Sequence, residues 1–217
     1  MGHIPHLVVA APWQDRRLPL TVVQWRHLTK VLRVARDEEI TYTDGLGRIG
    51  QGRLGYQEIE RGEEESRERQ AEITVAVAPP ANKDRQRFLV EKLAELGVAR
   101  LIWLETIHGQ QRLASASKVF SWVLAGVEQS RGAFLMETSP DLVNWDDLPK
   151  PYVVATPAGA PQLPSARTVV IGPEGGFASD EIPPDAATWS LGPTILRVET
   201  AAVVAAALLL APPVGMA

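Results

Sequence analysis

The sequence contains no cysteine among its 217 residues. That excludes disulfides, thiolate metal sites and every mechanism with a cysteine nucleophile. The N-terminus lacks a charged region followed by an apolar core, so no signal peptide is expected. The most apolar stretch, Ala201 to Ala211, is too short to span a bilayer, and its alanines and leucines fit a buried helix. No glycine turn is followed by Gly-Lys-Ser/Thr, and the G-x-G-x-x-G spacing is absent. Neither a P-loop nor a dinucleotide fingerprint is present, and nucleotide triphosphate chemistry is unsupported. A cytoplasmic chain with no membrane partner and no metal is expected.

What is present fits a globular protein of one large or two small domains. Hydrophobic residues make up 45% and charged residues 22%, enough apolar surface to bury a core without disulfides or metal. The net charge of −4 argues against nucleic acid, but its distribution says more. Residues 1–57 carry eight Lys/Arg against five Asp/Glu; residues 58–72 carry three against seven. The positive excess therefore sits at the N-terminal end. It is either a phosphate-facing surface or a solvated face.

The first part reads as mostly β. His6 to Ala10 is a short apolar run ended by Pro12, and Glu39 to Thr43 alternates and meets the hairpin signal Asp44-Gly45. Glycines 47, 50, 52 and 55 suit a small twisted barrel with tight turns. Val22 to Val34 predicts a short helix with Trp25, Leu28, Val31 and Leu32 on its apolar side. Gln57 to Gln70 is acidic and poorly periodic, and reads as a solvated hairpin tip or loop. A strand over Ala71 to Ala78 ends at Pro79-Pro80, and the division falls near it, into residues 1–72 and 73–217.

The second part alternates strand and helix. Asn82 or Asp84 caps a helix running to Leu96 with Gly97 as its stop. Strands are expected over Arg100–Glu105, Tyr152–Thr156, Thr168–Ile171 and Trp189–Leu191. Helices are expected around Val119–Val127, capped by Ser115 or Ser117, and over Glu199–Leu210. This pattern predicts an α/β layer structure on a mostly parallel sheet.

Two segments carry the strongest signals. Ile171-Gly172-Pro173-Glu174-Gly175-Gly176-Phe177 follows directly on a strand, where open α/β sheets bind ligands, and its glycines let a ligand approach the backbone. A plain tight turn is the other reading. Leu191-Gly192-Pro193-Thr194-Ile195-Leu196-Arg197 repeats the arrangement before the last helix. Arg197 could fix a carboxylate or phosphate and Glu199 could serve the helix dipole, or the two could staple the loop as an ion pair. Val127-Glu128-Gln129-Ser130-Arg131 is a charged helix end that, alone, carries no function.

Together these segments resemble a family. IGPEGGF (171–177) and LGPTILRVETA (191–201) look like the two C-terminal signatures of the RsmE-type 16S ribosomal RNA uracil-N3 methyltransferases, a branch of the SPOUT superfamily. KLAELGV (92–98) and EQSR (128–131) resemble two more motifs, in the family's order; HLTKVLR (27–33) and the Asp44-Gly45 turn resemble its N-terminal PUA-like barrel. Thr194 stands where the family usually has arginine, and the usual acid-Arg-Ser pattern is replaced around His108 to Arg112.

The resemblance implies an α/β trefoil-knot methyltransferase domain (73–217) behind a PUA-like, RNA-binding β-barrel (1–72), in a homodimer. It implies an S-adenosyl-L-methionine pocket formed by Thr156, Pro157, Ile171, Gly172, Pro173, Glu174, Gly175, Gly176, Leu191, Gly192, Ile195, Leu196 and Arg197. Arg197 and Glu199 are the expected catalytic residues; His27, Lys30, Arg33 and Arg131 would meet 16S ribosomal RNA or the small subunit. The missing cysteine also excludes the cysteine-adduct route to pyrimidine C5 methylation. The alternatives are an RNA-binding protein with a degenerate catalytic domain, for which Thr194 speaks, and an enzyme of the same fold acting on a ribose 2′-hydroxyl.

Overall fold

The computed structural model describes residues 4–109 and 112–211. The chain forms two units, one from residues up to 69 together with 127–135, the other from 70–126 and the residues from 136 onward. The sequence division at 72/73 differs in leaving 127–135 with the second part.

In the first unit, β1 (His6–Val8), β2 (Arg17–Pro19), β3 (Glu39–Thr43), β4 (Arg48–Leu54) and β5 (Glu58–Ser66) form one sheet in the order β1-β3-β4-β5-β2. β1 runs parallel to β3, and the other pairs are antiparallel. The expected hairpin joins β3 to β4, and the Asp44 carboxylate accepts the amides of Leu46 (2.7 Å) and Arg48 (3.1 Å) across the turn. One apolar cluster draws Leu7, Leu18, Ile40, Tyr42, Leu54 and Ile59 from all five strands. Leu28 and, at its edge, Trp25 come from the helical segment between β2 and β3.

Two expectations for this unit fail. The helix is α1 (Val22–Arg26) continued as a π turn, His27–Val31, in which the Leu32 amide bonds back five residues to His27. The wider turn shifts the helical phase. Leu28 stays buried, whereas Val31 and Leu32 face outward, 65% and 42% exposed. The acidic stretch is no loop: Glu58–Ser66 is a nine-residue strand. Its charges are met across the sheet by Arg17 and Arg48 and along the strand by Arg61, and Ile59 anchors it in the core.

Glu64 is the hub of that strand. Its carboxylate takes two hydrogen bonds from Arg61 (2.6 and 2.9 Å), one from the Tyr42 hydroxyl (2.9 Å) and an ion pair from Arg48 (2.6 Å). The Arg61 hydrogen bonds hold its pKa below the usual glutamate value, while burial and Glu64 push the Tyr42 phenol up to about 12.

In the second unit, β6 (Thr74–Val77), β7 (Arg100–Leu104), β8 (Glu137–Val143), β9 (Tyr152–Ala160), β10 (Thr168–Ile171) and β11 (Ala187–Trp189) form an all-parallel sheet. The order is β11-β9-β10-β6-β7-β8. The central strands β6 and β10 are buried almost throughout, as strands covered on both faces must be. α2 (Lys83–Leu96) starts at Asn82, whose side chain accepts the Asp84 amide at 2.7 Å, and closes at Gly97. α3 (Ala116–Ser130), which belongs to this unit as far as Gly126, buries Val119, Trp122 and Val123. α4 (Val198–Leu210) packs against α2, β10 and β6. No described helix is long and apolar enough to cross a membrane.

Replacing Glu64 with Gln should cost about 1.5–3 kcal/mol at pH 7, the range for hydrogen bonds to a charged group. Because the folded-state pKa of Glu64 is depressed, its contribution is present above the unfolded value and lost as pH falls through the folded one. Urea unfolding of both proteins should therefore show the difference at pH 7 shrinking towards pH 3; a pH-independent gap would contradict this account.

Candidate active site

Three segments of the second unit converge on one cavity of about 460 Å³. They belong to the carboxyl ends of β9, β10 and β11, the rim where open α/β sheets hold ligands. Ala155, Thr156 and Pro157 come from β9; Ile171 to Ala178 with Ile182 come from the chain after β10; Leu191, Gly192, Thr194, Ile195 and Leu196 lead into α4, which adds Val198 and Ala201.

Each wall has a local cause. The sequence suggests that β9 stops at Thr156, yet it runs to Ala160. β10 pairs with it only as far as Ile171–Ala155, and β11 jumps from Thr188–Val154 to Trp189–Ala160. The segment around Thr156 and Pro157 is thereby freed from ladder partners and borders the cavity. Gly159 permits this closure, since a Cβ there would stand 2.4 Å from the Trp189 backbone. The second wall is a tight turn in which the Gly176 amide donates to the Pro173 carbonyl at 2.9 Å. The Glu181 carboxylate accepts the amides of Ala178 and Ile107, both at 2.8 Å, tying the chain after β10 to that after β7. His108 Nδ1 reaches the Gly176 carbonyl at 3.3 Å. In the third wall Gly192 has φ 135°, a conformation closed to most other residues.

The cavity offers mixed chemistry. Ile171, Phe177, Ile182, Leu196 and Val198 are apolar, and behind Phe177 stands Trp145 with ring centroids 5.3 Å apart. Among the described residues, the main-chain N–H groups of Thr194, Ile195 and Leu196 find no acceptor, so a ligand would meet free donors there.

Of the residues singled out from sequence as cofactor contacts, all but Arg197 line this cavity. Arg197 is the exposed N-cap of α4, and its guanidinium makes no hydrogen bond to a described residue. Glu199 is buried and takes two hydrogen bonds from Arg85, 3.0 Å from Nε and 2.8 Å from Nη2. Burial alone would raise its pKa, but the Arg85 hydrogen bonds, its own amide and the nearby charge of Arg197 together hold it lower. A carboxylate so engaged is a poor proton acceptor, which argues against the catalytic role expected for Glu199. The suggested Arg–Glu staple exists, but its arginine is Arg85 and not Arg197.

Sequence reasoning missed Arg85 and Ile182, and left Phe177, the end of the 171–177 segment, out of the expected cofactor contacts. Arg85 lies 114 positions from Glu199, so no local pattern could pair them. Gln86, fully buried beside it, was also missed: its amide donates to the carbonyls of Pro80 and Arg112 and accepts the Ala114 amide. His27, Lys30 and Arg33 stand exposed in the first unit on and just after the π turn. Arg131, in the same unit, donates to the Ile4 carbonyl at 2.9 Å. Among the described residues no cluster of His, Asp and Glu could hold a metal.

Residues 67–210 match the family model for the RNA methyltransferase domain. The chain belongs to this family. Two solved structures of family character align over nearly the whole chain. One is the ribosomal RNA small subunit methyltransferase E of Neisseria gonorrhoeae bound to S-adenosylmethionine, at 26% identity and TM-score 0.79, covering 94% of this chain and 96% of that one. Another is a Porphyromonas gingivalis protein named as a probable rRNA methyltransferase, at 25% identity and TM-score 0.78, covering 94% and 95%. A Legionella pneumophila structure at 23% identity shares the fold, with TM-score 0.81 and 95% and 97% covered. No curated protein matches the chain. The RNA methyltransferase domain thus spans the entire parallel sheet and its cavity.

Gly192→Ala tests the third wall. Holding a residue with a Cβ at this φ should cost about 1–3 kcal/mol, or roughly 2–4 °C in Tm per kcal/mol. An unchanged thermal midpoint would mean that the loop relaxes freely.

Proposed function

We propose that this protein transfers the methyl group of S-adenosyl-L-methionine to N3 of a uridine in 16S ribosomal RNA. The observation that carries the reading is the cavity at the carboxyl ends of β9, β10 and β11, whose volume lies within the range of about 300–1,000 Å³ usual for small-molecule sites. Its residues suit an adenosine group. Apolar side chains of Ile171, Ile182 and Leu196 would cover the base, and the free amides of 194–196 would bond its edge. The likeness to the gonococcal enzyme, described with that cofactor, supports the same occupant.

When bound, the cofactor supplies a methyl group activated on a sulfonium. What remains for the chain is to orient the reactants, exclude water and manage the uracil N3 proton. Thr156, Pro157, Ile171–Gly176, Leu191, Gly192, Ile195 and Leu196 hold the donor. Arg197, exposed at the start of α4 with an uncommitted guanidinium, stabilises negative charge developing on the base as the N3 proton passes to solvent water, the sulfonium C–S bond breaking as the C–N bond forms. N3 lies on the Watson–Crick edge, so the target uridine is unpaired or flipped out. His27, Lys30, Arg33 and Arg131 on the first unit, read as a PUA-like RNA-binding barrel, contact phosphates.

The finer architecture follows the same reading. The chain leaves β10 in the sheet centre, forms β11 at the far edge and returns as α4 against β6 and β10, a path that suits a trefoil knot. Beside the cavity and sharing Pro157 and Ile195 with it runs an apolar groove that includes Pro161, Leu163 and Leu208. Ile195 is 90% exposed there, which supports a second copy of the chain completing the site. The setting is the cytoplasm.

Calorimetry should show S-adenosylmethionine binding at micromolar Kd, and small ribosomal subunits lacking the modification should gain one methyl on a uracil base by mass spectrometry. Binding without transfer would favour the RNA-binding, catalytically degenerate reading; methyl on ribose would favour a 2′-hydroxyl enzyme. Arg197→Ala should lower kcat by about 10²-fold or more while changing the cofactor Kd little, the signature of an interaction made in the transition state. An equal loss in both would make Arg197 a cofactor contact.

A further inference from the structure

One side chain outside the cavity lining pairs with residues on two of its walls. Arg85, in the first turn of α2, extends its guanidinium to two carboxylates on different walls. Nη1 pairs with Glu174, a cavity residue on the turn after β10. Nε and Nη2 grip Glu199, in the first turn of α4 between the cavity residues Val198 and Ala201. A planar guanidinium with five donors can serve two carboxylates in fixed directions; a lysine cannot.

The two limbs differ in what they can do. The Glu199 side chain is 9% exposed and the Arg85 side chain 25%, so this limb is a shielded, two-point bond that fixes Arg85 against α4. The Glu174 side chain is 53% exposed, where an ion pair adds little to stability. Stabilisation of the fold therefore accounts for the first limb and leaves the second unexplained. Positioning accounts for both: the buried limb sets the arginine, and the exposed limb sets the turn. Apart from the His108 contact to the Gly176 carbonyl, the Glu174 limb is the side-chain tie between residues 173–176 and the rest of the described unit.

We propose that Arg85 is a positioning residue that fixes the spacing between the turn after β10 and the start of α4, and so sets affinity for the methyl donor. This rests on the reading of the cavity as the S-adenosylmethionine site.

The test is calorimetric titration of the full chain with S-adenosylmethionine, together with steady-state kinetics and thermal unfolding, for wild type, Glu174→Gln, Arg85→Lys and Arg85→Met. Glu174→Gln cuts only the exposed limb, so its Tm should stay at the wild-type value while Kd and KM for the donor rise about three- to tenfold. Arg85→Met should raise Kd by about tenfold or more, and Arg85→Lys, a point charge without the fork, should fall between. Wild-type affinity in folded Glu174→Gln and Arg85→Lys would overturn the proposal even if Arg85→Met does not fold. So would a fall in Tm and kcat with KM unchanged, the mark of a purely structural residue. Failure of the cofactor reading is separately visible: the wild-type titration itself would then give no heat, and the inference would fall with it.

Discussion

Burial of the parallel sheet on both faces is the constraint on which the rest of the second unit depends. β6 and β10 lie at its centre with Val75, Ala76, Val77, Val169 and Val170 fully shielded from solvent. Strands so covered cannot shift register without exposing apolar side chains or stranding ladder donors. Their carboxyl ends therefore form a rigid rim, and the chain segments leaving that rim start from fixed points. Thr156 and Pro157 border the cavity because β10 and β11 both stop pairing with β9 in their neighbourhood. The cavity thus forms where the ladder ends, which is also where the backbone has groups to offer a ligand.

Loops at such a rim need ties, and here the ties are polar and long-range. Glu181 joins the chain after β10 to the chain after β7 through two backbone amides. Gln86, with no exposure to solvent, satisfies three backbone groups around residues 80, 112 and 114. Arg85 beside it spans two walls of the cavity. α2 thus acts as the beam against which the site is braced, and its placement follows from packing on α4. The cost of burying Gln86 and Glu199 is met by complete hydrogen bonding, without which either would destabilise the fold.

The first unit solves a different problem. Its β5 strand carries too much charge to be held by apolar burial alone, and Ile59 is its single fully buried side chain. Arginines hold it as a strand: Arg48 from β4 and Arg61 from β5 itself converge on Glu64, and both guanidinium groups stand over the Trp13 ring, at 5.1 and 5.9 Å. The π turn at His27–Val31 leaves His27, Lys30 and Arg33 outside with Val31, while Leu28 keeps the segment rooted in the core.

Much of the fold was legible in the chain. Short apolar runs at Thr168–Ile171 and Arg100–Leu104, the cap and stop of α2 at Asn82 and Gly97, and the alternation of strand and helix are local properties, and local properties are written in consecutive residues. The glycine turns at 172–176 and 191–192 were legible as tight turns at strand ends for the same reason, since a positive φ restricts which residue can stand there. The pairing partners of charged residues were not. Read alone, Glu58–Ser66 lacks the apolar alternation of a strand because arginines supplied by other strands neutralise it. Glu199 looked free to act as a base because the arginine that engages it is on another helix. The sequence by itself determined where the buried central strands and the capped helix α2 form and where glycine lets the backbone turn. Tertiary structure alone decided which charges are committed and which remain available, because a carboxylate's role depends on the partner brought to it through space, and nothing in its neighbouring residues specifies that partner.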